Sequence, residues 1–183
     1  MRRVIKRILS TNLGPEGKMK YVFLFFLTAM VFEACEKDDI CVDGDTPLLV
    51  IRFYDAEDTT EFKAVTNLRV IGLGQGSTLN TFTDRSSIDS IGLPLQINQP
   101  TTSFQLIFES EDDENDVETG NIDTLSFSYN TQEVYVSRAC GFVANYEEVT
   151  PELTSDSSNW IQEIEVVTST VTNQISAHVK IFH

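Results

Sequence analysis

The sequence predicts an all-β domain, an antiparallel β-sandwich immunoglobulin-like in outline. Three observations predict it. Apolar residues alternate in short runs, at Ile91, Leu93, Leu95 and Ile97 and again at Phe104, Leu106 and Phe108. Turn-forming clusters separate such runs, among them Asp43-Gly-Asp-Thr-Pro47, Gly72-Leu-Gly-Gln-Gly76 and Asn98-Gln-Pro-Thr101. No stretch of this part sustains a 3.6-residue period. Alternation sends one face of a strand to the core and the other to water. About eight strands at this spacing suit two packed sheets, with a small barrel as the competitor.

The elements follow in order. Leu48-Leu-Val-Ile-Arg-Phe-Tyr54 is β-rich and bounded by turn signals, which predicts a central strand with both faces largely covered. Phe62, Ala64, Leu68 and Val70 predict a second strand, bulged near Thr66-Asn67. The Gly72–Gly76 run breaks it, and a shorter piece follows at Leu79 to Thr83. Acidic Glu109 to Glu118 separates the Phe104–Phe108 strand from Leu125, Phe127 and Tyr129. A turn is expected at Asn130-Thr-Gln-Glu133, with Val134 and Val136 leading on to Cys140. Glu147 to Asn159 is polar, contains Pro151 and is expected to be a loop. The last pair spans Trp160 to Val171 and Gln174 to Phe182, turning near Thr172-Asn173. Ile175, Ala177, Val179 and Ile181 would share the core face, so His178 would face solvent.

Ahead of the domain, Tyr21 to Phe32 form an apolar run of 12 after Lys18 and Lys20. A membrane-spanning helix needs ~20 such residues. The run has the length and basic flank of a signal-peptide core. It ends at Phe32-Glu33-Ala34-Cys35, where a small residue followed by Cys resembles the lipobox of bacterial lipoproteins. In that family the thiol is acylated and cleavage makes the Cys the new N-terminus. Glu33 departs from the usual small or apolar residue. The following Glu36-Lys37-Asp38-Asp39 resembles the export signal of Bacteroidota lipoproteins, which implies the outer face of the outer membrane; a solvated charged tether is the plain alternative. The expected organisation is a signal peptide over 1–34, with 1–18 a long n-region or a mis-assigned start. A lipidated Cys35 and short tether over 35–46 and a β-sandwich over 47–183 complete it.

Residues 1–34 hold six basic and two acidic residues, leaving seven and 26 in residues 35–183, a net charge of −19. Such a surface repels phosphate backbones, which argues against nucleic acid as a partner. It also repels anionic head groups, so membrane attachment would come from acyl chains. Lipid on Cys35 leaves Cys41 and Cys140. In an oxidising compartment these two are candidates for a disulfide, with two separate buried thiols as the alternative. A bridge would close a loop of about 100 residues, contributing up to ~4.7 kcal/mol in the chain-entropy treatment.

Chemistry-bearing motifs are few. His178 and His183 lie in no triad-like context, and Cys/His zinc spacing is absent. The acidic run offers Asp112, Asp113 and Asp116 as weak oxygen ligands for a cation. The EF-hand pattern fails there, because Val117 stands where Gly is needed; a solvated hairpin loop is the simpler reading. Asp43-Gly-Asp45 is a weaker candidate still. Trp160 is a core plug or, less simply, a rim residue that stacks on a ligand. Arg52 and Arg138 are expected to pair with carboxylates, with a concave anion site as the lesser alternative. No cofactor is expected.

Residues Cys35 and Cys41, the strand Thr46-Pro-Leu-Leu-Val-Ile-Arg-Phe-Tyr-Asp55 and Ser137-Arg-Ala-Cys-Gly-Phe142 resemble an uncharacterised family of Bacteroidota lipoproteins. The resemblance spans about residues 35–183 and implies no activity, cofactor or catalytic residue. The expectation is therefore a non-catalytic, outer-membrane-anchored envelope protein that binds another envelope protein. A surface glycan- or ligand-binding module is the first alternative and a hydrolase the second.

Overall fold

A computed structural model describes Cys41 and residues 45–183. Residues 1–34, expected to be a signal peptide, and Cys35, Lys37, Asp38, Asp39 and Asp43 lie outside the described residues. Within them the chain forms nine strands and no helix. One sheet holds β1 (Leu49–Tyr54), β4 (Ser90–Leu93), β8 (Glu163–Val166) and β9 (Val179–Phe182), in the order β4-β1-β9-β8. The other holds β2 (Val65–Gly72), β3 (Ser86–Ile88), β5 (Thr101–Phe108), β6 (Asn121–Ser137) and β7 (Gly141–Leu153), in the order β3-β2-β5-β6-β7. Every pairing is antiparallel except β1 with β9. The sandwich holds, with its own strand order. In a constant-type immunoglobulin sheet the first two strands are neighbours; here β1 and β2 lie in different sheets.

The alternation drives the core. Leu49, Ile51 and Phe53 on β1 bury completely, and so do Leu106 on β5 and Leu125 and Phe127 on β6. The outer face of β1 is half-covered, since Tyr54 packs against Phe62 and Phe182 with ring centroids 4.9 and 5.6 Å away. The Arg52 guanidinium lies 4.0 Å from the Phe62 ring centre and 3.6 Å from Asp89. Arg138 is exposed at a turn and makes no ion pair with a described residue. The β2 bulge falls where the sequence places it. Asn67 has φ 46°, and the register shifts between Val65 and Leu68, so both bury.

Several expectations change. Residues 130–133 are not a turn: β6 runs unbroken to Ser137, and the reversal comes at Arg138-Ala-Cys140. Gly141 takes φ +71° there, and the Cys140 N–H donates to the Ser137 hydroxyl at 3.1 Å. Glu147 to Leu153 are strand, not loop. β7 is the outer strand of its sheet, where Pro151 removes no needed donor, and a bulge at Glu148 (φ 55°) keeps Val149 inside. Residues 79–83 form no strand, and the short piece is β3. The Ile91–Leu95 and Phe104–Phe108 runs lie in different sheets, and Ile97, expected to continue the first run, is exposed.

The final pair is antiparallel as expected, but its strands are much shorter, and in place of a turn at Thr172-Asn173 a long connection runs between them, with Ser169 and Val171 bonded to β7. β9 begins only at Val179, so the predicted face fails before it: Ile175 is 91% exposed. His178 is buried rather than solvent-facing. Its N–H donates to the Val50 carbonyl at 2.8 Å, and its Nδ1 accepts the Val50 N–H at 2.9 Å.

Candidate functional site

The acidic loop between β5 and β6 is closed by two arginines. Arg69 from β2 grips Asp84 through Nε and Nη2, at 3.2 and 3.0 Å, and Glu118 through Nη1 at 3.1 Å. Arg85 pairs with Asp112 and donates from Nε to the Ser110 hydroxyl at 3.0 Å. Ser110 in turn donates to Glu118 at 2.7 Å, which also accepts the N–H groups of Glu111 and Gly120. The hydrogen bond from Arg85 holds the Asp112 carboxyl below its usual range. Burial pushes Glu118 up, but hydrogen bonds from Ser110, Gly120 and Glu111 outweigh it and the net shift is downward. Gly120 is required by close approach, since a Cβ would stand 2.8 Å from the Phe108 carbonyl oxygen.

The three cation candidates are therefore occupied or dispersed. Asp112 faces arginines. Asp113 accepts the N–H groups of Asn115 and Val117 at 2.8 and 2.9 Å, which caps its own turn. Asp116 takes a left-handed φ of 59° on the exposed side. Among the described residues no three His, Cys, Asp or Glu side chains are grouped to hold a metal. Asp45 is exposed.

Trp160 stands in the core, not at a rim. Its ring packs against Phe108 and His183 with centroids 5.8 and 5.5 Å away, and its Nε1–H donates to the Leu106 carbonyl at 3.3 Å. Asp123 fixes the segment that delivers it. This fully buried carboxylate accepts the Ile161 N–H at 2.8 Å and the Asn159 amide at 3.0 Å. Burial raises its pKa against those hydrogen bonds. Sequence reasoning missed Asp123, although an acid inside an alternating apolar strand was a signal. His183, also buried, exchanges hydrogen bonds with Lys63. Burial lowers the pKa of His178 and His183 alike.

A cleft of about 390 Å³ opens between the β2–β3 connection and the crossover from β4 to β5. Gln75, Thr78, Asn80 and Gln96 line it, with Phe104 and buried Thr102 beside them. Two buried tyrosines hold the crossover: Tyr146 donates to the Leu95 carbonyl and Tyr129 to that of Gln96, both at 2.8 Å. Burial pushes the Tyr146 hydroxyl up to about 12. At neutral pH it is a fixed donor rather than a proton carrier.

Cys41 and Cys140 are joined in a disulfide, with Cα atoms 4.9 Å apart. This fastens the start of the described chain to the turn of the β6–β7 hairpin. The chain then passes β7, where the Ala144 N–H donates to the Thr46 hydroxyl at 3.2 Å, and enters β1. The hairpin outruns its sheet. β5 pairs with β6 only over Asn121–Ser128, and from Asn130 onward β6 pairs with β7 alone. Tyr135 and Phe142, opposite each other in register, pack edge to face with centroids 5.4 Å apart. They are 56% and 66% exposed. Val134 and Val136 beside them are exposed as well.

A model of a family of unknown function, DUF6452, matches residues 67–183. The chain belongs to that family. The DUF6452 match begins at the β2 bulge and covers Ser137–Phe142, while Cys35, Cys41 and the β1 strand precede it. No curated protein and no solved structure matches the chain.

Proposed function

We propose that the protein is a lipoprotein of the Bacteroidota cell envelope, acylated on Cys35 and carried by Lys37-Asp38-Asp39 to the outer membrane. It works there by binding another envelope protein rather than by catalysis. The observation that carries this reading is the Cys41–Cys140 disulfide. It ties the hairpin turn to a position six residues after Cys35, so the β domain is held close to its anchor. A disulfide also suits an exported protein. The rigid sandwich supplies a scaffold, and the acidic surface leaves attachment to the acyl chains.

Protease shaving of intact cells tests the address. Wild-type protein should be lost from the surface, and the Cys35→Ser variant should fail to partition with membranes. Protein spared until the outer membrane is opened would redirect the search to the periplasmic face. Crosslinking in intact cells tests the partner, and recovery of the chain with no envelope protein attached would argue strongly against the binding role.

The cleft beside Thr102 favours a second reading, a surface module for glycan or another polar ligand. Its amide and hydroxyl lining suits such groups. Trp160, being buried, supplies no stacking platform. Binding on a glycan array that is lost on Gln96→Ala would support this reading, and silence on broad arrays would weaken it.

A further inference from the structure

We infer that the tip of the β6–β7 hairpin sits in the lipid–water interface of the membrane that holds the protein, as a second contact beside the acyl anchor. The inference rests on the anchored reading of Cys35 and deepens it by naming the surface that meets the bilayer.

Position comes first. Five residues separate Cys35 from Cys41, and six fully extended Cα–Cα steps reach roughly 20 Å. The disulfide transfers that limit to Cys140, and so to the hairpin turn. The tip therefore stays within a short tether of the lipid however the domain turns.

Shape and chemistry agree with position. The tip projects beyond the five-stranded sheet as two strands only. It presents Tyr135 and Phe142 as an exposed aromatic pair on one face, with Val134 and Val136 exposed on the other. Tyrosine is enriched at membrane–water interfaces because its ring is apolar and its hydroxyl can stay wet. On this face the aromatic pair continues a row that is core-facing further along, through Ala144 and Tyr146.

Charge selects the same surface. Residues 35–183 carry a net charge of −19, which an anionic membrane surface repels. Residues 131–145 hold one acid, Glu133, and one base, Arg138. This is a neutral window in an acidic chain, so it can approach head groups while the body stays away. A protein partner would also accept aromatic residues, but it would not require the contact to lie within reach of the lipidated residue.

The test uses the processed, full mature protein carrying Phe142→Trp, mixed with neutral phosphatidylcholine vesicles whose acyl chains are either brominated or plain. Bromine quenches indole only at contact depth. Emission from position 142 should fall roughly twofold in brominated vesicles. The parent protein, whose single Trp160 is buried in the core, should show no difference. Thermal melting and disulfide mass confirm that the variant is folded. Unquenched emission from the folded, membrane-bound variant overturns the inference. So does a position 142 shielded from acrylamide only when envelope protein is added, which would assign the tip to a protein. The mass of the purified chain reads acylation separately. An acylated chain without quenching sinks the tip contact alone, and quenching in an unacylated chain sinks the anchor alone.

Discussion

The two halves of β6 make an instructive pair. Leu125 and Phe127 are fully buried, whereas Tyr135, on the same face of the same strand, is more than half exposed. Both halves are extended strand and both pair with β7. What differs is the opposite layer. β6 and β7 run for 17 and 13 residues, while β1, β4, β8 and β9 have six, four, four and four. Past the reach of the short sheet, an inward-pointing side chain has nothing to bury against. Alternation therefore says which way a residue points, and the length of the facing sheet says whether anything is there.

The sharpest way to break this comparison is truncation in the covered half. Phe127→Ala should cost about 3–5 kcal/mol through lost burial and the cavity left behind, as measured by denaturant unfolding. A cost below about 1 kcal/mol would mean the core is not closed around it. Next in size is the cross-link at the other half. Replacing Cys41 and Cys140 by Ser should lower stability by about 2–4 kcal/mol, because the 99-residue separation is no longer constrained in the unfolded chain. The two variants of the pair should behave alike when each is made singly.

Asp123→Ala should cost about 1–3 kcal/mol, since it orphans the buried Ile161 N–H and frees the segment that carries Trp160. Red-shifted Trp160 emission would accompany the loss. Acidification gives a graded effect. His178 and His183 have folded pKa values below their ordinary 6.5, so the unfolded chain takes up protons first. Their contribution to stability is complete above pH 6.5 and declines as the pH falls through that value toward the folded ones. Protonation also removes the Nδ1 acceptor that holds the Val50 N–H. Melting temperature should therefore drop on mild acidification, with a shallower slope in His178→Gln. Below the ordinary carboxylate values, Asp112 and Glu118 add a second loss, because their folded pKa values are depressed.

The smallest effect belongs to the uncovered half. Tyr135→Ala should change unfolding free energy in solution by no more than about 0.5 kcal/mol. A loss as large as that of Phe127→Ala would show that the tip is buried in solution, and the contrast between the halves would vanish.

Much of this was legible beforehand, for identifiable reasons. Local patterns announced the strands at Leu49–Tyr54 and Thr101–Phe108, the bulge at Asn67 and the glycine turn after Gly72. Cysteine arithmetic pointed to Cys41 and Cys140. The tip did not stand out, since Val134, Tyr135 and Val136 look like any strand until the opposite layer is measured. The acidic loop read as a possible cation site because Arg69 and Arg85, which pair with Asp112 and Glu118, are distant from them in the chain.

By itself the sequence determined the class of the fold and the acidity of the chain, because each depends on composition or on neighbours in the chain. Only the tertiary structure decided that β1 pairs in parallel with β9, that His178 is sealed against Val50, that Trp160 lies inside and that the β6–β7 tip stands bare. Each of these turns on segments far apart in sequence, such as Val50 and His178 at a separation of 128. Burial is a property of what lies opposite, and no local period encodes it.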